Sequence, residues 1–242
     1  MLKLIRGEIY RLLHKKSIYI YFGVLAVGYF LAAFVRSGGF NDETVVKDAM
    51  NFFQFLPALA GGFLFSAIYT DDLNSKNLIT LVGYGINKAK IVTAKFILML
   101  LFGSAVFGLM PLFHYAVYAI LGCNVTMDQM TVIYAVSLKF LLMTLAFAAL
   151  SSIAAYGVQR TTFAIVSYIL LAFGVVGALI AAVSNVLELN IAEHIISGIT
   201  DRILAGIITD GSLTLPIIEY VGYILTAAVF SVIAFHRKEM EF

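Results

Sequence analysis

The chain has 242 residues, of which 62% are hydrophobic and 12% charged, and its formal net charge is +2. A soluble domain is roughly 45–50% apolar and about 25% charged, so polar residues are too few to coat a water-soluble globule of this size; the expected fold class is an all-α membrane protein. Six spans of about 20 residues each fill the length and leave no room for a folded soluble domain of about 100 residues, the small net charge gives no sign of nucleic-acid binding, and the lone Cys123 excludes an internal disulfide.

Residues 1–16 come first, and over 2–16 Leu2, Ile5, Ile9, Leu12 and Leu13 fall within roughly a 100° arc of a helix, with Lys3, Arg11 and Lys15 outside it. That pattern predicts an interfacial helix whose basic face meets anionic lipid; the alternative is a basic stop that only fixes topology. The first apolar run, 17–35, lacks a small-residue cleavage site and reads as a retained anchor. A second span is predicted over 51–70. Residues 71–95 then form the longest connection on one side: a short helix with apolar Leu78, Ile79, Leu81 and Val82, a Gly83-Tyr84-Gly85 turn, and a basic approach to the next span. A short helix with a few apolar positions suits a partner's groove; a plain surface loop is the other reading.

Further spans are predicted over 96–120, 132–156, 162–184 and 214–235. Between the last two, residues 185–213 carry Leu187, Ile191, Ile195, Ile199, Ile203 and Ile207 every four residues, with charges between them. The spacing predicts one or two outer amphipathic helices, broken near Gly198 or Gly206, lying in the interface or dipping back into the bilayer. All of these elements belong to one transmembrane domain over 1–242.

Basic residues set the orientation. Twelve of them, from Lys3 through Arg237 and Lys238, fall on the side of the termini and of 71–95, whereas Arg36, Lys47 and Arg202 fall on the other. Both termini are therefore expected in the cytoplasm. Within the spans, the ionisable residues are Lys139, Glu219 and His114. A charge at membrane depth usually faces a cavity or a partner, and Lys139 and Glu219 sit at similar depth near the outer ends of their spans. Three readings follow: a pair lining the translocation path, a structural salt bridge, or a lysine reaching to the headgroups. The histidines show no ligand spacing, so no metal site is expected.

Six spans, a basic amphipathic N-terminus, the 71–95 connection and outer helices between spans five and six resemble the membrane subunit of type-2 ABC exporters, the ABC-2 permease family. Locally, Asp71 or Asp72 matches that family's acid after span two, Lys88 its internal basic position, and Lys95 its lysine at the start of span three. The chain departs from the usual Glu and Gly-Thr of the intervening helix, reading Lys76-Asn77-Leu78 instead. In compactness the chain is similar to bacterial exporters of phenol-soluble modulins and to lantibiotic-immunity permeases.

The resemblance implies a transport subunit of the bacterial cytoplasmic membrane, itself not an enzyme. No GxxxxGK[ST] phosphate loop occurs in the chain, so ATP and Mg would be held by two separate ATP-binding cassette subunits. Those would dock at the ATPase-coupling residues Asp71, Asp72, Leu78, Ile79, Leu81 and Lys88. A second permease copy would complete a path for an amphipathic peptide. Export of a small-molecule drug, or a non-ABC channel or structural subunit, are the alternatives.

Overall fold

The computed structural model describes residues 1–35, 44–74, 77–187, 191–209 and 211–237. Among these the chain is helical without strands: α1 (Leu2–Leu13), α2 (Lys16–Val35), α3 (Thr44–Leu73), α4 (Asn77–Gly83), α5 (Lys88–Ile120), α6 (Met127–Val158), α7 (Thr161–Ala172), α8 (Val175–Val186), α9 (Ile196–Ile208) and α10 (Thr214–Arg237). Helices α2, α3, α5, α6 and α10 are each long and apolar enough to cross a membrane, and the bent pair α7–α8 makes a sixth crossing if counted as one.

Three of these helices begin earlier than the apolar runs suggest, each for a local reason. Helix α3 starts at Thr44 because Val45, Ala49 and Phe53 bury one face, while Asp48 accepts a 2.7 Å hydrogen bond from the Tyr118 hydroxyl. Helix α5 starts at Lys88, where the Asn87 side chain accepts from the Ala89 N–H at 2.8 Å. Helix α6 starts at Met127 behind a reciprocal cap: the Gln129 N–H donates to Thr126 Oγ1 at 3.3 Å, and the Thr126 N–H to Gln129 Oε1 at 2.9 Å. The fifth predicted span is bent by 56° between α7 and α8. There Gly174 adopts φ +72°, a left-handed conformation that strains residues with a side chain.

Helix α6 is the axis of the bundle. It packs against α3, α5, α7, α9 and α10, and 67% of its apolar stretch is buried within the chain, against 17% for α2 and 11% for α10. Helix α3 is not a plain α-helix: it contains π turns at Pro57–Gly61 and Ser66–Thr70. Tyr168 of α7 donates a 2.8 Å hydrogen bond to the Pro57 carbonyl. A Cβ on Gly61 would run into the Tyr168 hydroxyl oxygen and lie 2.7 Å from Thr144 Cγ2, so this contact requires glycine.

The outer segment differs from its sequence reading. Gly198 and Gly206 do not break it; α9 runs through both, and Ile196, Ile199, Thr200 and Ile203 bury its face against α6 and α10. Residues 188–190 and 210 of that segment lie outside the described residues.

Candidate functional site: a buried ionic cluster where three segments meet

The N-terminal helix, the last turn of α3 and the first turns of α5 converge at one end of the bundle. Ile5, Ile9 and Leu12 turn α1 onto the core, which carries Glu8, on the margin of that apolar face, inward. The Lys95 ammonium donates to Glu8 Oε2 at 2.9 Å and pairs with Asp72. Side-chain exposure is 2% for Lys95, 0% for Asp72 and 10% for Glu8, so these charges have left water.

Arg11 extends the cluster outward. Its guanidinium lies 2.7 Å from Glu8 Oε2, 3.3 Å from Asp72 Oδ1 and 3.9 Å from Asp71 Oδ2, and Lys15 closes the set on Asp71. Three carboxylates thus meet three cations, with no net charge. Burial opposes the charge on Arg11, yet the carboxylates of Asp72, Glu8 and Asp71 outweigh it and hold the guanidinium pKa above its ordinary value. Desolvating ions costs several kcal/mol each by order of magnitude; such a set is therefore a device for fixing register rather than a large source of stability. Here it fixes the end of α3 to the start of α5 through α1.

The predicted coupling residues divide by location. Asp71 and Asp72 belong to the cluster. In α4, Leu78 is 5% exposed, and Leu81 and Val82 pack against the same core, as does Ile86 after the turn, so the apolar side of this helix is used to seat it on its own bundle. Ile79 is half-buried, Thr80 is exposed, and Tyr84 is 81% exposed at the following turn. Lys88 turns inward: its ammonium donates to the Phe235 carbonyl at 2.8 Å and lies 5.1 Å from the Phe235 ring centre, joining α5 to the last turn of α10.

At the other end of the bundle the structure does not join Lys139 to Glu219. Lys139 pairs with Asp201 at 2.5 Å, while Glu219 pairs with Arg202 and stands 3.5 Å from His194 Nδ1. The reason is α9, which packs against both α6 and α10 and presents Asp201 and Arg202 as neighbours, one to each side. His114 is a satisfied buried side chain: its Nε2 faces the Val45 carbonyl at 3.1 Å and its Nδ1 the Tyr29 hydroxyl. Among the described residues no group of three or more His, Cys, Asp or Glu is placed to hold a metal ion.

Long apolar helices around a buried axis, with buried charges paired, define a multi-pass membrane protein. The chain belongs to the ABC-2 family of transporter proteins: the model of that family, described as ABC-2 family transporter protein, matches residues 4–177, including every member of the ionic cluster. Membrane proteins of this family are transport subunits, generally without an ATPase site of their own, and generally work with an ATPase subunit in a lipid membrane. Neither the curated proteins nor the solved structures give a match.

Sequence reasoning identified Asp71, Asp72 and Lys95 but not Glu8, Arg11 or Lys15; Arg11 and Lys15, expected on the lipid-facing side of the helix, turn to carboxylates instead. The available signal was an acid in an otherwise basic amphipathic helix, at the edge of its apolar arc and one turn before Leu12.

Proposed function

We propose that this chain is the membrane-spanning subunit of an ATP-driven exporter, with ATP and Mg bound by two separate cassette subunits that dock at the 71–95 segment. The observation that carries the reading is the Lys95 bridge between Glu8 and Asp72, which ties the docking segment, the N-terminal helix and two spans into one unit. Force applied to α4 reaches α3 within a few residues. Buried pairs cannot part without leaving charges unsolvated, so the unit moves as a body and carries the push into the spans.

The exposed surface of α4 and its turn, with Thr80, Gly83 and Tyr84, is the side available to a cassette; Leu78 and Leu81 act from behind it. The end bearing the ionic cluster faces the cytoplasm of a bacterial cell, in keeping with its excess of lysine and arginine, and both termini lie there. A second copy of the permease, packed on α2, of which the single chain covers only 17%, completes the path. The cargo is an amphipathic peptide, a choice supported by the family resemblance and by spans whose polar positions are dispersed.

The test is purification from the native membrane in mild detergent, followed by ATP hydrolysis measured with and without amphipathic peptides. A stoichiometric ATPase that is lost in Tyr84→Ala, and whose activity rises with peptide, is the expected result. A pure 242-residue species, under extraction that leaves cassette subunits intact, refutes the exporter reading.

A further inference from the structure

A groove of about 430 Å³ runs between α5 and α10 with α6 as its floor. Its walls are apolar: Phe96 from α5, Ala149 from α6, and Leu225, Val229 and Ile233 in a four-residue row along α10. It opens on the surface of two candidate spans, one of them the least covered in the bundle, which places the opening against acyl chains rather than water.

What lies just beyond the groove is charged. Arg237 continues the row Leu225–Val229–Ile233 by one more turn, and Lys90 precedes Thr93, another lining residue, by three positions on α5. Both cations are exposed, and no ion pair with a described residue involves either of them. This contrasts with the neighbouring cluster, where Arg11, Lys15 and Lys95 are matched by Glu8, Asp71 and Asp72. The Lys88 bond to the Phe235 carbonyl pins α5 to α10 at this mouth and fixes the separation of the two helices there.

An apolar slot for one chain, ending at two cations that no described carboxylate pairs, has the chemistry of an acidic phospholipid: a phosphate takes charge-assisted hydrogen bonds from Lys and Arg while the acyl chain fills the slot. We infer that the α5–α10 groove is a binding site for one anionic phospholipid, its headgroup on Lys90 and Arg237 and an acyl chain over Ala149. The site is independent of cassette docking and of cargo, so it stands or falls separately from the exporter reading.

The experiment is native mass spectrometry of the full chain in detergent, titrated with phosphatidylglycerol or with phosphatidylcholine of the same acyl chains. One phosphatidylglycerol per chain is expected to bind in preference to phosphatidylcholine. Removing two cations that each attract anionic lipid should weaken it about tenfold or more in Lys90→Gln/Arg237→Gln. The matched charge loss Lys47→Gln/Arg160→Gln, on exposed residues elsewhere, should leave it unchanged. Ala228 on α10 also lines the groove, so Ala228→Phe fills it without altering charge and is expected to abolish retention; Ala228→Leu is the milder filling should the larger ring disturb folding. Equal binding of the two lipids, a preference that survives Lys90→Gln/Arg237→Gln, or retention undiminished by both groove-filling variants would each overturn the assignment.

Discussion

Lys95→Met is the sharpest perturbation of the ionic cluster, because methionine keeps the apolar stem and removes only the ammonium. At 2.9 Å, and with the effective dielectric near 20 that reproduces protein charges best, the Lys95–Glu8 attraction alone is roughly 6 kcal/mol gross. Desolvation of the ammonium offsets most of that. What remains after truncation is a pair of buried carboxylates sharing one guanidinium, and breaking a buried pair from one side costs about 3–5 kcal/mol. At about 2–4 °C per kcal/mol for a chain of this length, the unfolding midpoint should fall by roughly 6–20 °C. The exposed control Lys3→Met should stay within about 0.5 kcal/mol of the parent. Lys95→Met/Asp72→Asn, which restores neutrality with a near-isosteric group, should recover part of the loss. The assay is thermal unfolding in detergent followed by size-exclusion. A Lys95→Met midpoint equal to that of Lys3→Met, or a double variant no better than the single, would refute the view that these charges are buried and mutually dependent.

Gly61→Ala drives a methyl into the Tyr168 hydroxyl and Thr144 Cγ2, and overpacking of this kind costs about 1–3 kcal/mol. Adding Tyr168→Phe should relieve only part of it, as read by the same unfolding midpoint, because the Thr144 contact remains. At the other end, Lys139→Asp should be rescued by Asp201→Lys and not by Glu219→Lys; with Asp201 58% exposed, the Lys139–Asp201 coupling should be about 0.2–1 kcal/mol in a double-mutant cycle. Rescue by Glu219→Lys instead would contradict the observed pairing. Deleting Ala67 from the second π turn should turn Asp72 away from Lys95 by about 100° and lower the midpoint as much as Lys95→Met. A deletion variant as stable as the parent would show that the π turn does not set this register. Thr126→Ala removes the cap of α6 and should cost about 0.5–2 kcal/mol, measured by chemical unfolding.

The spans were legible because bilayer thickness imposes one strong, local rule on composition. Their ends were less so, since Asp48, Lys88 and Lys90 look like stops while the polar groups of Asp48 and Lys88 are satisfied by Tyr118 and Phe235 from distant parts of the chain. The same locality explains the Lys139–Glu219 expectation. Counting only charges inside spans leaves each residue one candidate partner, and the real partners, Asp201 and Arg202, sit on α9, an amphipathic helix between spans. The N-terminal helix shows the opposite case: its amphipathic face was plain, but Glu8 finds Lys95 across 87 residues, a separation that no periodicity encodes.

Helix α3 shows why the cluster depends on more than the identity of its charges. Val45, Ala49, Phe53, Pro57, Gly61, Phe65 and Tyr69 are all buried, at a strict four-residue spacing. On a plain α-helix each such step drifts by about 40°, so the row would wind about 240° around the helix and could not face one core throughout. The two π turns each insert about one residue, returning about 100° apiece and nearly cancelling the drift. Proline at 57 lacks an N–H to hold the tighter ladder, the Tyr168 hydroxyl takes up the Pro57 carbonyl, and Thr70 Oγ1 donates to the Ser66 carbonyl across the second turn at 2.8 Å. The wide turns are thereby supported by side chains that a period of 3.6 treats as incidental. By this route Asp72, 27 residues after Val45, comes off the last turn still facing the interior, where Lys95 and Glu8 meet it. The register of the whole span, rather than the acidic residue alone, delivers the carboxylate to its partners.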